Sequence, residues 1–79
     1  MIIQIINEIS RKYNLDLNFK LKFSKVYIIT FEINKTEITF NFFVDTLKSY
    51  KENLKDFENR LNKEIISYFI NQRKGEKIR

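Results

Sequence analysis

Residues 26–44 read VYIITFEINKTEITFNFFV, and this stretch decides the fold. Aromatic and β-branched residues alternate with polar ones on both sides of Asn34-Lys35. Such alternation is typical of half-buried β-strands, and asparagine favours a tight turn. A turn of two residues places Phe31 opposite Ile38 or Phe40, apolar against apolar, whereas an odd-numbered turn would exchange the two faces. The stretch therefore predicts a hairpin with one apolar face.

An earlier alternating segment adds a third strand to this hairpin. Its apolar residues are Leu15, Leu17, Phe19, Leu21 and Phe23. Matching the faces requires an odd number of residues in the first loop, such as residues 24–26. The three strands then form an antiparallel meander with one continuous apolar face. On the other face, Lys20 and Lys22 protect the edge of the first strand, and Phe43 points outward.

Helical patterns flank the strands. Residues 2–13 carry apolar side chains at helical spacing, and Asn14 is a suitable stop because asparagine tolerates the left-handed conformation. A second helix is predicted to begin at Asp45 or Thr46. Its apolar stripe is narrow at first and then widens: Leu47, Tyr50, Leu54, Phe57, Leu61, Ile65, Ile66, Tyr68, Phe69 and Ile70.

The second helix is longer than the sheet. No proline or glycine interrupts residues 46–74. At 1.5 Å per residue such a helix is about 42 Å long, whereas an eight-residue strand spans about 26 Å. The helix therefore overhangs the sheet or breaks near Asn59 or Asn62. The predicted fold is α+β with order α-β-β-β-α, a three-stranded antiparallel meander with both helices on one face. It forms one domain over residues 1–72, followed by a flexible basic tail over residues 73–79.

Composition narrows the possible functions. The 79 residues include no cysteine and no histidine, so disulfides and the usual zinc ligands are excluded. We expect a protein that is not an enzyme, with no catalytic residues, no metal and no cofactor. There is no signal peptide and no apolar run of about 20 residues, which predicts a cytoplasmic protein that does not enter membranes.

The residue usage also points to a source. Isoleucine, asparagine and lysine are abundant, whereas alanine and proline are missing. These preferences follow AT-rich codons and indicate a low-GC bacterium or its phage. If a phage encodes the protein, its expected location is the cytoplasm of the host cell. Codon bias therefore accounts for part of the net charge of +5.

Two basic clusters are candidates for binding nucleic acid or an acidic partner. The first contains Lys48, Lys51 and Lys55, which we place beside the apolar stripe of the second helix. The second is in the tail and contains Arg73, Lys74, Lys77 and Arg79. The alternatives are a solvated helix face, because acidic residues are interleaved with the first cluster, and a solubilising tail.

Apolar residues supply candidates for a partner or dimer interface. Ile66, Phe69 and Ile70 lie where the helical stripe widens, and Phe43 lies on the open sheet face. Exposed patches this apolar are rare on monomers. The alternatives are that the helical residues pack onto the first helix, and that Phe43 is a partly covered rim residue.

The order helix, three antiparallel strands, helix resembles the double-stranded-RNA-binding domain over nearly the whole chain. Ser24-Lys25 stands where that family has a longer loop, and Lys48 and Lys51 match part of its lysine cluster, so no binding residue is carried over. The same order, with an isoleucine- and asparagine-rich first helix, is similar to small phage proteins that inhibit CRISPR nucleases. The best-known member of that group is acidic and resembles DNA, whereas this chain is basic, so the resemblance implies binding to an acidic protein surface, or to bound RNA or DNA, and not DNA mimicry.

The predicted function is a small non-enzymatic inhibitor or accessory protein of a phage or mobile element. It would bind a host protein or ribonucleoprotein complex that handles nucleic acid, such as a CRISPR effector. The alternatives are a nucleic-acid-binding module with the topology of the double-stranded-RNA-binding domain, and a homodimeric regulatory protein.

Overall fold

Two helices and three strands make up the described part of the chain. A computed structural model describes residues 1–78, with side chains described for residues 1–72. The elements are α1 (Ile2–Tyr13), β1 (Asn18–Phe23), β2 (Val26–Ile33), β3 (Thr36–Phe43) and α2 (Tyr50–Ile78). The strands form an antiparallel sheet in the order β1-β2-β3, which confirms the predicted α+β fold. The predicted flexible tail stays a prediction, because the side chains of residues 73–79 lie outside the described residues.

The hairpin of β2 and β3 has the predicted register. Asn34 and Lys35 adopt φ values of 51° and 67°, as expected for a two-residue type I′ turn. Phe31 lies opposite Ile38, and all eight residues of β3 pair with β2 without interruption. The apolar residues of both strands therefore share one face.

The first hairpin also matches the apolar faces of its strands, but in another way than predicted. Its turn contains only Ser24 and Lys25, and Phe23 pairs with Val26. Leu21 nevertheless pairs with Tyr27, because the strand carries an extra residue between Leu21 and Phe23. The predicted odd-numbered loop is wrong, since this β-bulge supplies the odd residue.

The bulge changes the position of Phe23. Val26, its partner in β2, pairs on the other side with Phe43 of β3. Phe43 is exposed, whereas the preceding Phe42 is buried, so this row lies on the open face of the sheet. Phe23 thus leaves the helix-covered face predicted for it and joins Phe43 on the open face.

The hydrophobic core fills the space between the sheet and the helices. The ring of Phe57 on α2 lies 5.8 Å from that of Phe40 and 5.0 Å from that of Phe42. Phe40, predicted to be a core residue, is buried. The other buried apolar residues come from both helices, from β2 and from the segments beside β1 and β3: Ile2, Ile5, Ile6, Ile9, Leu17, Ile29, Phe31, Val44 and Leu61.

Strand β1 is much less covered than its alternating sequence predicts. Leu17, just before the strand, is buried, but Phe19 is 37% exposed and Leu21 is 61% exposed. The cause is that α2 packs on β3 and α1 packs beside α2, so the helix layer buries residues of β2 and β3. The prediction of a half-buried first strand is therefore wrong for residues 18–23.

Helix α2 begins later than predicted. Ser49 Oγ accepts from the N–H of Glu52 at 3.2 Å, and Glu52 Oε1 accepts from the N–H of Ser49 at 3.1 Å. This reciprocal arrangement is a capping box, and it starts the helix at Tyr50. Asp45 instead stabilises a preceding turn, because its Oδ1 accepts from the N–H of Leu47 at 2.9 Å. Leu47, predicted to lie in the apolar stripe of the helix, is 96% exposed.

The end of α1 is as predicted, and α2 is continuous. Asn14 ends α1 in the left-handed conformation, at φ 53° and ψ 47°. Helix α2 runs over 29 residues without the break considered at Asn59 or Asn62. A helix of that length is about 43 Å long, so α2 extends past the sheet.

Candidate interaction surfaces

The first candidate surface lies at the end of the sheet where β1 meets β2. Four large apolar side chains are exposed there, and we call this group the apolar tip: Leu21, Phe23, Phe43 and Leu47. The register places Phe23 and Phe43 on either side of Val26. The N–H of Val44 donates to the carbonyl of Lys25 at 2.9 Å, which ties the end of β3 to the first turn. Sequence reasoning identified only Phe43, because the bulge exposes Phe23, the turn before α2 exposes Leu47, and the helix layer leaves Leu21 uncovered.

The apolar tip is surrounded by lysines. Lys22 Nζ lies 5.8 Å from the ring centroid of Phe23, and Lys25 Nζ donates to Thr46 Oγ1 at 2.9 Å. Lys20 lies one pair further along β1. The ion pairs within residues 1–72 are Lys12–Glu58, Lys48–Asp56 and Arg60–Glu64. Lys20, Lys22 and Lys25 are therefore in no ion pair within the described part of the chain.

A network of hydrogen bonds holds the turn that presents Leu47. Asn53 of α2 is buried, with 1% of its surface exposed. Its Oδ1 accepts from the N–H of Asp45 at 3.0 Å, and its Nδ2 donates to the carbonyls of Asp45 and Ser49 at 2.9 and 3.1 Å. One side chain therefore satisfies three backbone groups of the turn. Leu47 is held outward by ordered structure.

The second candidate surface lies on the part of α2 that extends past the core. Ile66, Phe69 and Ile70 are all about half exposed, and we call them the distal helix patch. Polar contacts from α1 reach α2 as far as Glu58, and Leu61 is the last buried residue of α2 among the side chains described up to Gln72. The alternative that these three side chains are buried against α1 is therefore wrong. Their use as a dimer or partner interface stays a prediction.

The first lysine cluster does not form the predicted row on a helix. Lys48 lies in the turn before α2, and its Nζ donates to Asp56 Oδ2 at 2.8 Å. That hydrogen bond raises the pKa of Lys48 above its ordinary value. Only Lys51 and Lys55 lie on α2, where both are exposed. The tail cluster of Arg73, Lys74, Lys77 and Arg79 lies outside the described side chains.

The junction of α1 and α2 centres on Glu58, which sequence reasoning did not single out. Its Oε2 accepts hydrogen bonds from Lys12 Nζ and, at 2.8 Å, from Tyr13 Oη. These two donors hold the pKa of Glu58 below its ordinary value of 4.5, with the Lys12 hydrogen bond as the larger cause. Tyr50 Oη donates to Glu8 Oε1 at 3.2 Å nearby. The polar groups at this junction bind the two helices together.

The stability supplied by Glu58 should depend on pH. Because its pKa is lower in the folded protein, the contribution is present above the carboxyl pKa of the unfolded chain and disappears as the pH falls through the folded pKa. Glu58→Gln should therefore reduce the free energy of unfolding at neutral pH, with a difference from the wild type that shrinks in acid. Urea unfolding of both proteins over a pH series measures it. An equal difference at every pH would contradict this role of the carboxylate.

The described part of the chain contains no cluster of metal-ligating side chains. Within those residues, no three acidic side chains come close enough together to bind a metal ion. None of the described helices is both long and apolar enough to cross a bilayer. Comparison of the chain with protein-family models, with curated proteins and with solved structures finds no match. A functional proposal therefore rests on the two exposed surfaces.

Proposed function

We propose that this chain is a small non-enzymatic inhibitor or accessory protein of a phage or mobile element. It acts by binding an acidic protein surface of a host complex that handles nucleic acid, such as a CRISPR effector. The observation that carries the proposal is the apolar tip with its surrounding lysines.

The apolar part of the tip supports binding because these large apolar side chains are exposed to solvent. Phe23 and Phe43 lie on either side of Val26 on the open face, and Leu47 projects from a hydrogen-bonded turn. Groups of exposed apolar side chains usually mark an interaction site on a soluble domain. Rigid aromatic side chains also lose little conformational entropy when they are buried in a partner.

The charge around the tip indicates the chemistry of the partner. Lys20, Lys22 and Lys25 lie on β1 and the first turn beside the apolar residues, and Asp45, in the turn that presents Leu47, accepts the N–H of Leu47. Interfaces are complementary in charge, and such complementarity accelerates association. The partner surface should therefore combine apolar contacts with acidic residues.

A variant of the tip tests this proposal. Phe43→Asp combined with Leu47→Asp should abolish one-to-one capture of a host complex from a low-GC bacterial lysate. The matched control, Ile66→Asp combined with Ile70→Asp, places the same charges on the distal helix patch and should leave capture intact. Capture that survives nuclease treatment and falls with salt is the expected result. If the tip variant captured the complex as fully as the distal variant, the tip would not be the binding surface.

A direct functional assay accompanies the capture. Cleavage of target DNA by a purified CRISPR effector from a low-GC bacterium should fall as the protein is added, and reach its minimum near a one-to-one ratio. The tip variant should lose this inhibition, whereas the distal variant should retain it. Undiminished cleavage by every effector tested would leave the accessory role and contradict the inhibitor role.

A second candidate function is supported by the paired aromatic residues. Phe23 and Phe43 on an open sheet face, with Lys20 and Lys22 beside them, also resemble a platform on which nucleic-acid bases stack. This function predicts binding of single-stranded RNA that weakens steeply with salt and with Phe43→Asp. It also predicts that nuclease treatment removes the captured complex. Absence of binding to single- and double-stranded RNA and DNA at low salt would exclude it.

A further inference from the structure

The two edges of the sheet differ in how they are protected against pairing with another strand. Strand β1 is six residues long, is interrupted by the bulge, and carries Lys20 and Lys22. Short strands, bulges and lysines are the usual protection of an edge. Strand β3 has eight residues in unbroken register and contains no lysine, no proline and no bulge. Its only charged residue is Glu37.

The outer edge of β3 presents a regular set of backbone groups. A two-residue hairpin turn closes on a hydrogen-bonded pair, here Ile33 and Thr36. Along an antiparallel ladder, hydrogen-bonded pairs then alternate with pairs that are not hydrogen-bonded. The even-numbered residues of β3 therefore bond to β2, and the N–H of Val44 follows the same rule by donating to Lys25. The odd-numbered residues turn their N–H and C=O groups outward: Glu37, Thr39, Asn41 and Phe43.

These outward groups are unpaired within the described residues. All four residues are exposed. The backbone hydrogen bonds outside regular elements and the side-chain hydrogen bonds found within residues 1–72 do not involve their N–H or C=O groups. An unprotected edge of this kind is a template for another extended strand.

We propose that β3 pairs with β3 of a second copy of this chain, antiparallel and across a two-fold axis, to give a continuous six-stranded sheet. Centring the axis on Phe40 is self-complementary. Thr39 of each copy then faces Asn41 of the other, polar against polar. Glu37 of each copy faces Phe43 of the other, and the two Glu37 residues stand about 20 Å apart, at 3.4 Å per residue. Symmetric pairing of this type is the commonest closed assembly.

The charges along the sheet favour this antiparallel arrangement. Glu32 and Glu37 lie directly opposite each other at one end of β2 and β3, and like charges in that position are destabilising. The antiparallel dimer keeps the two Glu37 residues at opposite ends of the paired β3 strands, about 20 Å apart at 3.4 Å per residue. A parallel arrangement would place the two acidic ends together.

Substitution of one outward-facing residue tests the pairing. Asn41→Pro removes an N–H that points away from β2, so the ladder within the subunit keeps its bonds, and proline is tolerated on edge strands. Sedimentation equilibrium at micromolar concentrations should show a dimer for the wild type and a monomer for Asn41→Pro. The matched control is Asn41→Ala, which removes the same side chain, keeps the N–H and should remain dimeric. Ile66→Lys with Ile70→Lys should also remain dimeric, because the distal helix patch is a separate surface.

Hydrogen exchange on the wild type gives a second readout that needs no variant. The N–H groups of Thr39 and Asn41 should exchange as slowly as those of Ile38 and Phe40 at high protein concentration, and faster on dilution. A wild type that is monomeric at high micromolar concentration overturns the proposal. A dimer whose Thr39 and Asn41 amides exchange rapidly also overturns it, because another surface would then form the interface. If Asn41→Pro fails to fold, Thr39→Lys provides the protective edge lysine in its place.

Discussion

Replacing Phe57 by alanine should reduce the free energy of unfolding by about 3–5 kcal/mol, the usual cost of removing a buried phenylalanine. The side chain is 0% exposed and packs against the rings of Phe40 and Phe42 at 5.8 and 5.0 Å. At roughly 0.05–0.15 kcal/mol per residue, the whole stability of 79 residues is about 4–12 kcal/mol. The variant should therefore lose at least roughly a quarter of its stability and unfold at a clearly lower temperature, as circular dichroism during thermal unfolding would show.

The matched control lies on the same helix. Phe69→Ala removes the same ring from a half-exposed position of the distal helix patch, and its effect on the unfolding midpoint should be small. A Phe57→Ala variant as stable as Phe69→Ala would show that α2 does not cover the sheet through this ring. The packing of the helix layer would then have to be revised.

Asn53→Ala should cost about 1–3 kcal/mol, the usual cost of one buried backbone group left unsatisfied. The substitution leaves the N–H of Asp45 without its partner, whereas the carbonyls of Asp45 and Ser49 keep the backbone N–H groups of Lys48 and Asn53 as donors. Water that enters the site recovers part of this cost. Urea unfolding measures the loss, and faster hydrogen exchange at the Asp45 amide would locate it.

A control for Asn53 is available on the exposed side of α2. Asn71→Ala changes the same residue type at an exposed helical position, where substitutions usually alter stability by less than about 0.5 kcal/mol. If Asn53→Ala unfolds at the same urea concentration as Asn71→Ala, the hydrogen bonds of Asn53 contribute nothing to the turn. The fixed position of Leu47 would then need another cause.

The element order and one of the two hairpins were predictable from residue patterns. The even-numbered turn at Asn34-Lys35 follows from matching apolar faces, and the structure has that register. The same reasoning gave a wrong loop for the first hairpin. A two-residue turn with a bulge and a three-residue loop both restore the faces, so alternation of apolar residues does not distinguish them, although they orient Phe23 differently.

The exposed surfaces were harder to predict because exposure depends on how the elements cover one another. Leu21 and Ile29 have equivalent places in alternating strands, yet Leu21 is exposed and Ile29 is buried. The difference arises because two helices leave one of three strands uncovered, and the pattern does not say which strand. Leu47 fits the helical spacing, but the reciprocal bonds of Ser49 and Glu52 start the helix after it. The capping signal was in the sequence and competed with Asp45 and Thr46.

The contribution of α2 to the core has a consequence for synthesis on the ribosome. Helix α1 and the three strands are translated first, but the rings of Phe40 and Phe42 have no helix above them until Phe57 and Leu61 follow. A nascent chain that has emerged only as far as Val44 carries a complete meander with an uncovered apolar face and an unprotected β3 edge. Such partly emerged chains are the species most exposed to mispairing and to chaperones. Rapid translation of the 17 residues from Asp45 to Leu61 therefore shortens the interval in which this protein is vulnerable.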